Sequence, residues 1–184
     1  MGLLKDILEK GTVENAAGEQ VPLHSNTSLE QGLFLQKVFD QIRPRTSLEV
    51  GLAFGVSAMF ILEKHREYGN EHQSHLIIEP FPWGGVAELN IEKAGLSKYA
   101  QYVYKKSDEV LPTLYLNGAK IQYAYVDTTK QFDVVLTDFY FIDKILDVGG
   151  VVILDDCGGG WPGIQRVARF INSLPHYEIL DTFE

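Results

Sequence analysis

Apolar residues stand at positions 3, 4, 7 and 8, the spacing of an amphipathic helix over 2–10. The next stretch, "GTVENAAGEQVPLHSN", is polar and carries two glycines and a proline, which predicts a loop or short hairpin. In "TSLEQGLFLQKVFDQI", Thr27 precedes Glu30 by three positions, a capping-box pattern that predicts a helix start. Leu29, Leu33, Val38 and Ile42 are expected on its apolar side, and "RPR" ends it. From there short apolar segments alternate with longer helical ones. "SLEVGL", "HLIIEP", "AQYVYK", "IQYAYVD", "GGVVILDD" and "YEILDTF" read as six strands. Between them helices are predicted over 55–68, 84–95, 108–117, 130–146 and 162–173.

This alternation predicts an α/β fold with a doubly wound, mainly parallel, Rossmann-like sheet and helices on both faces. The runs "LII" and "VVIL" are continuously apolar, as strands covered on both faces should be. Polar residues gather where the strands end: Glu49 and Gly51, Glu79, Lys105 to Asp108, Asp127, Asp155 and Asp156. In an open α/β sheet that edge is the ligand edge. The pattern therefore predicts one site built from five strand ends.

Length and charge narrow the function classes. The 184 residues suit one domain, with 1–45 as an N-terminal helical cap and 46–184 as the core. A hydrophobic content of 45% and a formal net charge of −9 describe an ordered globular chain that would repel a phosphate backbone. Nucleic acid is not expected as a partner. No run approaches the ~20 apolar residues of a membrane span, so no membrane partner is expected either. The single cysteine, Cys157, forms no intrachain disulfide, and cytoplasm is the expected compartment.

The chemistry starts in "LEVGLAFGVSAM". Gly51 ends a strand and Gly55 opens a helix, which allows a tight turn and close approach of a ligand to the backbone. The helix N-terminus and the Ser57 hydroxyl favour an anionic group. The spacing is G-x-x-x-G, with Ala53 where the second glycine of a dinucleotide fingerprint would stand, so a nicotinamide cofactor is disfavoured. Glu79 follows the next strand, close to the ~20 residues expected of an acid that accepts ribose hydroxyls. The spacing E-x-G-x-x-x-G-x-S, from Glu49 to Ser57, resembles the first motif of class I S-adenosylmethionine-dependent methyltransferases. The version seen here is similar to that of the small-molecule O-methyltransferases of the catechol O-methyltransferase group. The resemblance runs from about residue 25 to the end. It implies an S-adenosylmethionine cofactor lying on Glu49, Gly51, Gly55 and Ser57, with its ribose on Glu79. It also implies an adenine contact at Ser107 and Asp108, and Asp127 among the cofactor residues.

Asp127, Asp155 and Asp156 end adjacent predicted strands. Three close carboxylates repel one another unless a cation or protons compensate, and oxygen ligands favour Mg²⁺ or Ca²⁺. The metal-dependent O-methyltransferases resemble this arrangement. The resemblance further implies that Lys130, in "DTTK", is the general base beside Asp127. None of His24, His65, His72, His75 and His176 forms a ligand-spaced pair. Trp83 and Trp161 lie in Gly/Pro-rich loops at the ligand edge, where they can wall a pocket or plug their own loops. The expected partner is a small-molecule acceptor. The alternative is a catalytically inactive module that binds S-adenosylmethionine or a nucleotide.

The resembling sheets have seven strands, the last forming an antiparallel hairpin with the sixth. This sequence stops at "HYEILDTFE". The expectation is therefore six strands in the order three, two, one, four, five, six, with "YEILDTF" parallel to "VVILDD". The competing solution is an edge completed by a second subunit in a homodimer.

Overall fold

The computed structural model describes residues 2–24 and 26–183. Helix α1 (Gly2–Lys10) leads into a two-stranded hairpin, β1 (Thr12–Glu14) and β2 (Gln20–Pro22), which settles the polar stretch as a hairpin. Helix α2 (Leu29–Ile42) follows. The core then alternates: β3 (Ser47–Val50), α3 (Val56–Glu67), β4 (His75–Ile78), α4 (Val86–Lys93), β5 (Ala100–Val103) and α5 (Ser107–Leu116). It continues through β6 (Ile121–Val126), α6 (Phe132–Ile145), β7 (Leu146–Leu154) and α7 (Pro162–Asn172). The sheet is wholly parallel with the order β5-β4-β3-β6-β7. This is the predicted order for the first five core strands.

Strand alternation sorts the side chains into two layers. Leu48, Val50, Ile78, Ala124 and Val126 pack against Val110 and Leu111 of α5 and Ile142 and Ile145 of α6. Tyr123 and Tyr125 pack on the opposite face with Leu35, Val38 and Phe39 of α2 and Ile61 of α3. The strand order reverses at β3, between β4 and β6. A crevice opens there at the strand C-termini.

Three expectations are corrected. Residues 177–183 form no strand, so among the described residues the core sheet has five strands and β7 is its edge. Tyr177 is engaged elsewhere: its hydroxyl donates to Asp143 Oδ1 at 3.0 Å and its ring packs on Phe139. Farther on, Asp181 pairs with Lys37 at 2.7 Å and Phe183 meets Phe34, both on α2. The tail is thus anchored at α6 and then at α2, and it crosses beside the edge instead of running along it. The capping box lies one residue later than predicted. Ser28 Oγ accepts the Gln31 N–H at 3.1 Å, and Gln31 Oε1 accepts the Ser28 N–H at 2.8 Å. The buried side of α2 is Leu35, Val38 and Phe39, whereas Leu29 and Leu33 are exposed. The apolar stripe is rotated because α3 packs on the side of α2 that carries Gly32, Leu35 and Phe39, with the Phe60 ring pressed against Gly32.

Candidate functional site

The turn after β3 is pressed against the end of β6. Asp127 N–H donates to Val50 O at 2.9 Å, and Gly51 N–H to Ile78 O at 2.9 Å. Gly51 has φ +98°, and a Cβ there would lie 2.0 Å from the Asp127 carbonyl oxygen. Only glycine meets both conditions. Ala53 holds a left-handed φ of +44°, and Gly55, at φ +80°, opens α3. No side chain caps this helix, so its first N–H groups remain open to a ligand.

Glu79 closes the turn from the side of β4. Its Oε2 accepts the Leu52 N–H at 2.8 Å and the Ala53 N–H at 3.4 Å, while Oε1 accepts the Phe81 N–H at 3.0 Å. The same carboxylate is nearly buried and borders the cleft.

Beneath the turn lies a buried polar chain. Ser47 Oγ is 2.6 Å from His65 Nε2 and 2.7 Å from His75 Nδ1. His75 Nε2 is 2.9 Å from Glu49 Oε2, and the Ser57 hydroxyl donates to Glu49 Oε1. Burial pushes the Glu49 carboxyl up to about 8, against the Ser57 hydrogen bond that lowers it. Burial likewise pushes His75 and His65 down to about 3, so both imidazoles are neutral near pH 7. Ligand spacing among the histidines does not reveal this role for His65 and His75. The signal was a different one: Ser47 and Glu49 alternate in an otherwise apolar strand, so both face α3 and need buried partners.

At the β6 and β7 ends, Asp127, Asp155 and Asp156 each offer an oxygen, all within 4.8 Å of one another. Asp156 is held at φ +57°, a left-handed backbone seldom taken by non-glycine residues. Burial and then the charges of Asp127 and Asp156 push the Asp155 carboxyl up to about 6. Lys130 reaches into this cluster. Its ammonium bonds Asp127 Oδ1 and lies 3.1 Å from Asp156 Oδ2. Burial alone would lower the Lys130 pKa, but the two carboxylates outweigh it and the net shift is upward. The cluster suits a hard divalent cation, and Lys130 stands there as a monovalent counter-charge.

Ser107 and Asp108 open α5 on the far side of Glu79. Every predicted site residue from Gly51 onward except Gly55 borders one cleft of about 1110 Å³. Glu49 lies under its floor and is fully buried. Trp83 and Trp161 both line the cleft and are about half exposed, and Trp83 also packs against Phe54 and His24. No helix among the described residues is long and apolar enough to cross a membrane.

A family model described as a methyltransferase domain matches residues 48–157. That span contains the glycine turn, Glu79 and all three aspartates. No curated protein matches the chain significantly in sequence. Solved structures share its fold. The O-methyltransferase from Bacillus cereus in complex with SAH has a TM-score of 0.72 at 22% identity, over 95% of this chain and 80% of its own. Cofactor-bound Rv0187 from MTB also has a TM-score of 0.72, at 18% identity over 95% and 78%. The O-methyltransferase TomG from Streptomyces achromogenes, in complex with SAM, has a TM-score of 0.65 at 22% identity over 79% and 67%.

Proposed function

The chain belongs to the methyltransferase-domain family; from that premise we propose that it takes its methyl group from S-adenosylmethionine and transfers it to a hydroxyl of a small molecule. One observation carries this reading: the three aspartates and Lys130 share a cleft with the glycine turn and Glu79. At about 1110 Å³ the cleft exceeds the roughly 300–1,000 Å³ usual for one ligand, which leaves room for an acceptor beside the cofactor.

In this reading Gly51 and Ser57 receive the methionine part of the cofactor, with Gly55 opening the helix behind them, Asp127 bounding the site and Glu49 setting the Ser57 hydroxyl from below. Glu79 takes the ribose hydroxyls, and Ser107 and Asp108 border the adenine. Trp161, across the aspartate cluster, walls the acceptor. The whole chain acts as one domain, with residues 1–45 covering the core of 46–184. Catalysis then rests mainly on holding the acceptor oxygen in line with the sulfonium methyl.

Asp127, Asp155 and Asp156 would hold Mg²⁺ or Ca²⁺, and such an ion lowers the pKa of a bound hydroxyl. Lys130 is protonated in its present ion pairs. It serves as the base only once Asp127 and Asp156 are engaged by another cation and its own pKa falls. The second reading, a module that binds cofactor without turnover, is favoured by that same charged lysine.

The deciding experiment incubates the protein with S-adenosylmethionine, Mg²⁺ and a panel of small hydroxylated aromatics, and measures S-adenosylhomocysteine release. Acceptor-dependent release is expected. Tight S-adenosylhomocysteine binding with no release on any acceptor would favour the inactive module.

A further inference from the structure

Asp138, on α6, is unaccounted for by the roles above. It is fully buried, yet neither carboxylate oxygen has a hydrogen-bond partner. It also lines the cleft, together with Ser107 and Asp108 from the start of α5. Helices α5 and α6 pack side by side on one face of the sheet, which brings the three residues together. The Ser107 hydroxyl is near enough to ease the Asp138 charge but completes no hydrogen bond with it. Buried carboxylates are nearly always satisfied. Among the described residues this is the one buried carboxylate with both oxygens unbonded. A ligand donor at this end of the cleft would satisfy it once a small turn of the side chain brings an oxygen to the cleft.

We propose that Asp138 accepts a hydrogen bond from the exocyclic amine of the cofactor's adenine and so sets selectivity for that base. The inference rests on the cofactor reading above, in which the base lies at Ser107 and Asp108. The cofactor's other donors belong elsewhere in that reading: the ribose hydroxyls at Glu79 and the ammonium at the glycine turn. The exocyclic amine, with two N–H groups, is the donor left for the acceptors at the α5–α6 end, Asp108 and Asp138. Burial, and then the neighbouring Asp108, push the Asp138 carboxyl up to about 6, against the easing effect of Ser107. It is therefore mostly ionised above that pH and able to accept.

The test compares S-adenosylhomocysteine with its inosine counterpart, in which an oxygen replaces the exocyclic amine. That oxygen would face the carboxylate as a second acceptor. Calorimetry on the wild-type protein at pH 7.5 should show a preference for the adenine compound of about tenfold or more, the scale of one hydrogen bond to a charged group. Asp138→Ala should reduce the preference to about threefold or less, mainly by weakening the adenine compound. Asp138→Asn keeps the shape and offers both an acceptor and a donor, so it too should lose most of the preference. Thermal unfolding of each variant, with and without each ligand, verifies folding and gives the preference a second time. A wild-type preference that survives in both folded variants overturns the role of Asp138 while leaving the cofactor reading intact. A wild-type protein that binds neither compound overturns both.

Discussion

Glu79 Oε2 accepts the backbone N–H of Leu52 at 2.8 Å, so the residue proposed to hold the ribose also fastens the glycine turn. One carboxylate thereby couples the ends of β3 and β4. Glu79→Ala should weaken S-adenosylhomocysteine binding by about tenfold or more through lost charge-assisted bonds. It should also lower stability by about 1–3 kcal/mol, because the Leu52 N–H loses its acceptor. Glu79→Gln retains an acceptor and should fall between. Unchanged calorimetric affinity in a folded Glu79→Ala protein would remove Glu79 from the cofactor site.

The five core strands, their order and their polar C-terminal ends were legible because each is a short apolar run ending in a charged or glycine residue. Asp127, Asp155 and Asp156 could be grouped from strand order alone. Tyr177 to Phe183 misled because "YEILDTF" alternates like a strand. Its fate is decided by tertiary anchors, Asp143, Lys37 and Phe34, that no local pattern reveals. Lys130 was legible as a residue of the site, but its charge state depends on Asp127 and, in second place, on Asp156, which is remote in sequence and brought near by a left-handed backbone. The pairing of His65 with His75 through Ser47 joins α3, β4 and β3, so it too appears only once the layers are stacked.

Glu49 gives a pH signature in stability. Unfolded, it ionises near 4.5; folded, it holds its proton up to about 8. Its contribution is complete below pH 4.5 and declines as pH rises toward 8, by at most about 1.4 kcal/mol per pH unit. His65 and His75 act the other way, since their folded values near 3 lie below the ordinary 6.5. Stability is lost on their account as pH falls from 6.5 toward 3. The raised Asp138 and Asp155 values end near 6. Between pH 6.5 and 8 the Glu49 decline should therefore stand out. Denaturant melts at pH 6.5, 7.2 and 8 should show wild-type stability falling and a Glu49→Gln variant nearly flat. A flat wild-type profile would mean that Glu49 is ionised throughout.

Lys130 and a divalent ion compete for the same oxygens. Turnover on an identified acceptor should fall with excess chelator and return with Mg²⁺. Lys130→Met should lower kcat by about 10²-fold or more if the amine moves the proton. The same variant should bind Mg²⁺ more tightly, because the ammonium no longer occupies Asp127 and Asp156. Full turnover in excess chelator would leave the aspartates as a cradle for Lys130 alone.

Gly51 and Gly55 separate backbone strain from crowding. At Gly51 a Cβ would lie 2.0 Å from the Asp127 carbonyl oxygen, a fixed backbone atom at the junction of β3 and β6. At Gly55 the nearest atom is the Ala87 Cβ at 3.1 Å, which a small shift of α4 can relieve. Both residues have positive φ, so alanine costs roughly 1–2 kcal/mol of backbone strain at either site. Only Gly51→Ala must in addition drive β3 and β6 apart where the glycine turn meets Asp127. Gly51→Ala should therefore abolish measurable S-adenosylhomocysteine binding and lower the melting temperature sharply. Gly55→Ala should cost a few degrees and weaken binding by about tenfold or less. Binding that survives in Gly51→Ala at near wild-type affinity would show that the turn can move away from Asp127, and that its close approach is not what shapes the site.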